Sequence, residues 1–342
     1  MKKRNVTIDD VAQRAGVSIK TVSRVFNREP NVRPATRDKV LAAAKELDYW
    51  PNLSARRLAS NRSFVIGLLY DNPQSDYVTD IQHGSLEVCR REGYDLLIHP
   101  CTNAAPDLVD ETLGLYRQTT VDGFILTQPV ADWEPLTAAL GESGIRFVRV
   151  SQRHPDGISP CISVDDEQAA YKLTAHLISL GHRRIGFIMG HPDHGSSHDR
   201  LRGFCAALDQ HQLPQERALV EQGLYNFESG YSCARRLLSL EPRPTAIFAS
   251  NDHMAMGVLI AAHEQQLRIP ADLSVCGFDD TPMARYAWPP LTTVRQPIRE
   301  IARLATEILV KILRGDEPEE NSYRLRSEFV RRASTGPCSF QG

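Results

Sequence analysis

The chain has 342 residues, 42% of them hydrophobic and 24% charged, which is typical of a globular protein built from two or three folding units. No apolar run is long enough to be an export signal or to cross a bilayer, so the sequence predicts a cytoplasmic protein without a membrane partner. Its seven cysteines are odd in number and include no Cys-x-x-Cys pair, which argues against a disulfide framework and a structural zinc site.

Charge is distributed unevenly along the chain. Residues 1–63 contain 14 Lys and Arg against 6 Asp and Glu, a formal charge of +8, and the remaining residues contain 26 against 36, a formal charge of −10. A basic N-terminal segment attached to an acidic body is the charge pattern expected when that segment meets a polyanion.

Two short amphipathic patterns, joined by a glycine, lie within the basic segment. Apolar residues at helical spacing predict a helix from about Thr7 to Ala15, with Thr7 as its N-cap and Asp10 completing an acidic capping box. Gly16 fits a tight turn that side chains resist, and Ser18 can cap a second helix. The sequence therefore predicts helix, turn and helix.

The second of these helices is predicted to have an apolar stripe and a polar face. The apolar stripe consists of Ile19, Val22, Val25 and Phe26. The polar face consists of Lys20, Thr21, Ser23, Arg24 and Asn27. Lys and Arg fit guanine edges and phosphates, and hydroxyl and amide groups bond bases or backbone oxygens, so the face suits the major groove of duplex DNA. An ordinary solvated surface is the competing interpretation.

A third helix and a linker follow. Apolar residues from Val40 to Leu47 mark a helix that begins near Pro34. Residues 49–63 contain three arginines and predict a linker whose one or two helical turns are too short to persist in water without a partner.

A resemblance to the LacI/GalR family of bacterial transcription regulators is carried by TIDDVAQRAGVSIKTVSRVFN, VRPATRDKVLAAAKELDYWPN and LSARRLAS, and it extends through almost the whole chain. It implies an all-α helix-turn-helix headpiece over residues 1–50, a hinge over 51–63, and an effector-binding and dimerisation core over 64–342. In that family the second helix enters the major groove, and paired hinges fold in the adjacent minor groove of a pseudo-palindromic operator.

The resemblance also implies roles for individual residues. By position, Ile19, Lys20 and Arg24 match the base readers. Leu58 matches the apolar wedge that opens the central base step. The expected phosphate contacts or helix caps are Thr7, Ser18, Thr21, Ser23, Asn27 and Arg57.

From Phe64 onward, short apolar runs alternate with helical stretches, which predicts an α/β core with parallel sheets. The strand candidates are 64–70, 95–100, 121–127, 145–150, 183–190, 245–250 and 273–278. The resemblance implies a periplasmic-binding-protein-like core of two Rossmann-like subdomains. Subdomain one is expected to span about 64–163 plus 295–325, and subdomain two about 164–294 plus the C-terminal tail.

Polar residues near the ends of these strand candidates are the expected effector contacts, because open parallel sheets bind ligands beyond the carboxyl ends of their strands. They are Asp71, Asn72, Tyr77, Gln128 and Arg149 in the first half and Arg200, Tyr225, Asn251 and Asp279 in the second. The resemblance supports the four of the second half. Asp252 and Asp280 are assigned to a helix cap and a turn.

These residue types suit a sugar or a sugar derivative. Carboxylates and amides accept from vicinal hydroxyls, arginine offers a planar fork of donors, and tyrosine offers a stacking face with a polar tip. Two candidate arginines leave a phosphorylated or acidic sugar open.

Two other classes of protein compete with a regulator. For an enzyme, GHPDHGSS (190–197) has the spacing of a phosphate-binding loop but lacks its lysine, and neither G-x-G-x-x-G nor G-x-S-x-G is present. The candidate metal ligands His191, His194, His198 and Asp199 match no compact helical pair, so no metal, cofactor or catalytic residue is predicted. A sugar-binding protein without DNA binding leaves the basic N-terminal segment unexplained.

The sequence therefore predicts a homodimeric regulator of sugar uptake or catabolism genes, associated with the bacterial nucleoid. We expect a repressor that binds double-stranded operator DNA and is released when an effector closes the cleft of the core. A corepressor-dependent regulator and an activator are the alternatives within the family.

Overall fold

The computed structural model describes residues 6–26, 31–49, 62–118, 121–151 and 157–339. The chain divides into two compact units, Met1–Ser63 and Phe64–Gly342.

The described residues of the first unit form the helices α1 (Ile8–Ala15), α2 (Ile19–Phe26) and α3 (Pro34–Glu46). The predicted capping box is confirmed, since Asp10 N donates to Thr7 Oγ1 at 3.4 Å and Thr7 N donates to Asp10 Oδ2 at 2.8 Å. Gly16 ends α1 in the left-handed region at φ +67°, where a side chain would be strained.

The core of this unit is small and aliphatic. Val11, Val22, Val25 and Val40 are buried, together with three alanines of α1 and α3. The predicted stripe of α2 is therefore confirmed at its valines but not at Ile19, which is 49% exposed. Ile19 is the first residue of the helix and lies at the edge of the bundle, so its face is available to a partner.

The second unit is an α/β core. Its strands are β1 (Val65–Tyr70), β2 (Asp95–Pro100), β3 (Gly123–Thr127), β4 (Arg146–Val150), β5 (Cys161–Val164), β6 (Ile185–Met189), β7 (Val220–Gln222), β8 (Ala246–Ala249), β9 (Ser274–Cys276), β10 (Thr293–Arg295), β11 (Ser322–Leu325) and β12 (Glu328–Val330). Its α-helices are α4 (Ser75–Glu92), α5 (Leu108–Gln118), α6 (Glu134–Glu142), α7 (Asp166–Ser179), α8 (Gly195–Gln210), α9 (Phe227–Leu238), α10 (Asp252–Glu264), α11 (Pro282–Tyr286) and α12 (Ile298–Arg314). Short 3₁₀ turns occupy Val130–Asp132 and Arg217–Leu219.

Two parallel sheets organise these elements. The first has the strand order β11-β5-β4-β3-β1-β2 and the second the order β7-β6-β8-β9. Helices cover both faces of each sheet, and each strand candidate from the sequence coincides with a strand of one of them. The predicted α/β fold is confirmed. We refer to the halves built on the first and second sheets as subdomain one and subdomain two.

The chain passes between the subdomains three times. It leaves the first sheet after β5, returns after β10 to form α12 and β11, and leaves again to form β12. β10 and β12 pair antiparallel, with Thr293 opposite Val330 and Arg295 opposite Glu328. The carboxyl ends of both sheets therefore lie close to the connecting segments.

Within the described ranges, no helix is both long and apolar enough to cross a membrane.

Candidate functional site

The outer surface of α2 is the first candidate site. Lys20 and Arg24 lie on it beside the half-exposed Ile19, and Thr21 and Ser23 are partly buried. This surface combines two cations with an apolar side chain, which suits phosphates, guanine edges and thymine methyl groups.

Two predicted contacts of this unit serve as helix caps. Ser18 Oγ accepts from Thr21 N at 3.2 Å and lies 2.9 Å from Thr21 Oγ1, so it holds the start of α2. Thr7 is engaged in the capping box of α1. Asn27, Arg57 and Leu58 lie outside the described residues.

The second candidate site is a polar cavity between the two subdomains, in the second unit. Subdomain one contributes Asn72, Gln74, Tyr77, Gln128 and Ser151, subdomain two contributes Asp166, His194, Ser196, Arg200, Tyr225 and Asp279, and the connecting segment contributes Gln296. The cavity volume is about 30 Å³. Since a water needs roughly 10–15 Å³ of such volume, the subdomains enclose room for about two water molecules.

Arg200 on α8 lies at the centre of the cavity wall. Its Nε donates to Asp166 Oδ1 at 2.7 Å, its Nη1 donates to the Ser250 carbonyl at 2.5 Å, and its Nη2 lies 3.8 Å from Asp279 Oδ1. The guanidinium carbon lies 3.7 Å from the centroid of the Phe278 ring. Burial opposes the charge, but Asp166 and Asp279 raise the pKa of Arg200 above its ordinary value. The side chain therefore stays cationic, with its charge already paired.

Asp279 follows β9 and presents its carboxylate to the cavity. Gln296 Nε2 donates to its Oδ1 at 2.7 Å. Burial raises the pKa of Asp279 to about 6, even though Arg200 and Gln296 act to lower it. At neutral pH Asp279 is therefore an ionised acceptor that is incompletely compensated.

Tyr225 supplies the aromatic wall. Its backbone has φ +62°, and Asn251 Nδ2 donates to its carbonyl at 2.9 Å. Its hydroxyl lies 3.1 Å from Ser196 Oγ, in the first turn of the adjacent helix. Gly190 leaves space for the ring, because a Cβ there would overlap Tyr225 Cζ. Burial lowers the pKa of His194, whose ring packs edge-on against Tyr225, to about 3, so it is neutral.

The structure brings together most of the residues expected at the cleft. Those that line the cavity are Asn72, Tyr77, Gln128, Arg200, Tyr225 and Asp279. Asp71, Arg149 and Asn251 do not line it. Asp71 Oδ2 instead accepts from Asn103 N at 2.8 Å, and Asn251 caps α10.

The expectation for Arg149 is corrected by its place on β4. It lies before the end of the strand, so its side chain is fully buried on a face of the sheet. Its Nε donates to Ser159 Oγ at 2.9 Å, and its guanidinium carbon lies 5.9 Å from the centroid of the Phe147 ring. Ser151, two residues further along, is the residue that reaches the cavity.

Sequence reasoning missed several lining residues. They are Gln74, Ser151, Asp166, His194, Ser196 and Gln296. Ser151, Asp166 and Gln296 follow the ends of β4, β5 and β10 within two residues. They therefore have the same position relative to a strand end that was used to select the expected effector contacts. β5 and β10 were not among the strand candidates, because Ser163 in β5 and Thr293 and Arg295 in β10 interrupt the apolar run.

The histidines near the cleft do not form a metal centre. In the part of the chain that the structure describes, no three His, Cys, Asp or Glu side chains are arranged to hold an ion. His191 and His194 pack edge-on, with ring centroids 5.5 Å apart.

Comparison with known proteins matches both units. The protein-family model for bacterial regulatory proteins of the lacI family matches residues 7–52. The family model for the periplasmic binding protein-like domain matches residues 174–335. The HTH-type transcriptional repressor PurR of Photobacterium profundum is 33% identical over 330 residues, which are 96% of this chain and 98% of that protein.

Two solved structures are similar over nearly the whole chain. The lac repressor dimer bound to operator and the anti-inducer ONPF has a TM-score of 0.78 and 28% identity, covering 97% of this chain and 100% of that chain. The complex of the transcriptional regulator CelR with cellobiose has a TM-score of 0.73 and 29% identity, covering 96% and 100%.

Proposed function

Because the chain belongs to the lacI family of bacterial regulatory proteins, we propose that it is a homodimeric repressor whose hold on operator DNA is controlled by a sugar in the cleft. Such regulators are DNA-binding proteins, and the similar protein of Photobacterium profundum is named a transcriptional repressor. The observation that carries the proposal is the pairing, in one chain, of a cationic helix surface with a polar cavity between two subdomains.

On DNA, α2 enters the major groove of each half-site. Ile19, Lys20 and Arg24 face the base edges there, and the flanking hydroxyls contact phosphates. Two half-sites require a two-fold dimer. Tyr286 and Trp288 in subdomain two are 84% and 92% exposed, and a second copy of the chain is the partner that would cover them.

The charges of the cavity favour a neutral, hydroxyl-rich effector. Arg200 is already paired with Asp166 and lies near Asp279, and Arg149 does not reach the cavity. The negative charge of Asp279 would therefore repel a phosphate or carboxylate group of the ligand. The nearby guanidinium of Arg200 is already paired with Asp166. Sugar hydroxyls, in contrast, donate well to Asp279, Asp166 and Gln128.

The cleft must widen to admit such a ligand. Ligand pockets usually measure roughly 300–1,000 Å³, far above the volume enclosed here. Opening and closing of the subdomains is therefore part of binding, and it is the motion that we propose controls the hinges and the operator.

A screen tests the proposal in two steps. Thermal shift of the full-length protein with neutral sugars and with sugar phosphates identifies ligands, and selection from random duplexes identifies the operator. We expect neutral sugars as hits, a palindromic selected site, and weaker operator binding when the hit is added. Hits confined to sugar phosphates would contradict the effector class. Failure to enrich any duplex would contradict DNA binding and leave a sugar-binding protein.

The salt dependence of duplex binding distinguishes a DNA-binding regulator from a sugar-binding protein. A DNA reader loses duplex affinity steeply between low and moderate salt because counterions are released, whereas a sugar binder has no such affinity to lose. A hit that tightens operator binding would identify a corepressor and reverse the sign of the coupling.

A further inference from the structure

Asp280, which the sequence assigns to a turn, is the centre of a buried ion cluster. Its side chain is fully shielded from solvent. Arg295 Nε donates to its Oδ2 at 2.7 Å, Arg332 Nη2 donates to its Oδ1, and Arg285 Nη2 lies 3.4 Å from Oδ2. Burial alone would raise the pKa of Asp280, but Arg332 and Arg295 hold it below its ordinary value. The carboxylate is therefore ionised and satisfied on both oxygens.

Two of these arginines come from the segments that connect the subdomains. Arg295 ends β10, immediately before the chain enters subdomain one. Arg332 follows β12, which the chain reaches on its return from β11. Asp280 thus ties together the two strands that carry the chain across, whereas Arg285 lies on α11 of subdomain two.

The neighbouring aspartate makes the matching contact on the cavity side. Asp279 accepts from Gln296, and Asp280 accepts from Arg295, so two consecutive aspartates bind two consecutive connecting residues. The backbones are also joined, since Asp279 N donates to the Val294 carbonyl at 2.8 Å.

The backbone of this loop needs support from its surroundings. Asp279 and Asp280 have φ values of 108° and 55°, a conformation that side chains rarely adopt and that persists only where contacts fix it. A further contact comes from the buried Asp252, which accepts from Thr281 N and from Thr293 Oγ1, both at 2.7 Å. The loop and β10 are therefore held as one piece.

We propose that Asp280 is a positioning residue that fixes Asp279 in the cavity and joins it to the connecting strands. This role rests on the proposed function of the cavity as the effector site. A ligand that hydrogen-bonds to Asp279 then acts directly on Gln296, and through Asp280 it acts on Arg295 and Arg332. Asp280 itself touches no ligand.

Hydrogen–deuterium exchange on the full-length protein, without ligand or DNA, tests this role. Asp280→Asn should speed amide exchange by about tenfold or more in both 277–281 and 292–296, because both segments lose their shared contact. The matched control is Arg285→Ala, which removes an exposed partner of the same carboxylate within subdomain two. It should leave both segments within about twofold of the wild type.

A reciprocal variant covers the case in which Asp280→Asn does not fold. Arg295 is 43% exposed, so Arg295→Gln should fold, and it should speed exchange at 279–281 in the facing loop. A rise confined to 277–281 in Asp280→Asn, a rise spread over all of subdomain two, or an unchanged loop in Arg295→Gln would each overturn the proposal. The exchange experiment uses neither effector nor operator. Its outcome therefore does not depend on the outcome of the screen that tests the proposed function.

Discussion

Replacing Asp279 with Asn should flatten the pH dependence of stability. The carboxyl titrates with a pKa of about 6 in the folded protein and near its ordinary value of 3.8 when unfolded. Between these values the folded state holds the proton more tightly, so the contribution of Asp279 is fully present below about pH 4 and is lost as pH rises through about 6. The difference of about two pKa units corresponds to about 3 kcal/mol of unfolding free energy.

Urea denaturation of the wild type and Asp279→Asn at pH 4 and pH 8 measures this loss, with far-UV circular dichroism reporting on the α/β core. The charge of Asp279 also raises the pKa of Asp252, so removing it lessens the loss of stability from Asp252 at high pH and acts in the same direction. We expect the variant to gain about 2 kcal/mol or more relative to the wild type on going from pH 4 to pH 8, because the unfolded carboxyl is already partly ionised at pH 4. Asp71→Asn, outside the cavity, is the control. Parallel profiles for the wild type and Asp279→Asn would refute the reasoning.

Three further predictions concern the cavity and the first unit. Gly190→Ala should displace the Tyr225 ring and weaken binding of a sugar found by the screen by about tenfold or more in calorimetry, because its Cβ would overlap the ring. Gly114→Ala, with no neighbour closer than 4.0 Å, should have no such effect, and equal affinities would contradict the role of Gly190. Lys20→Ala should relax base preference at one or two positions of each half-site by about 1–3 kcal/mol in a competition assay, and uniform weakening over all duplexes would make it a phosphate contact. Thr7→Ala should destabilise the first unit by about 1 kcal/mol in a denaturation experiment monitored by circular dichroism, whereas Thr7→Ser should retain the cap; equal losses would contradict the capping role.

The first unit was predictable because its signals are local. The cap at Thr7, the glycine at position 16 and the valine spacing of α2 each act within one or two helical turns, and α1 begins and ends within a residue of the expected positions. Ile19 was the exception. Whether the first residue of a helix is covered depends on its neighbours in the bundle, which spacing along α2 does not reveal.

The cavity was predictable only in part, because the end of a strand decides which side chain reaches beyond the sheet. Arg149 lies within β4 and Ser151 just beyond it, and only Ser151 lines the cavity. The role of Asp280 could not be predicted from the sequence, because its partner Arg332 lies 52 positions away. Only the return of the chain through β12 brings the two residues together. No local pattern carries a contact of that kind.

The narrow cavity has a kinetic consequence. Ser196 N donates to Gln128 Oε1 at 3.4 Å across the cleft, and His253 Nε2 lies 3.8 Å from Asp76 Oδ2 at its edge. An effector can enter only the fraction of molecules in which such contacts are broken, so its association rate and apparent affinity scale with that fraction. Substitutions that weaken only the contacts made when the cleft is empty should therefore accelerate association. Affinity in this protein can be tuned at residues that never touch the ligand.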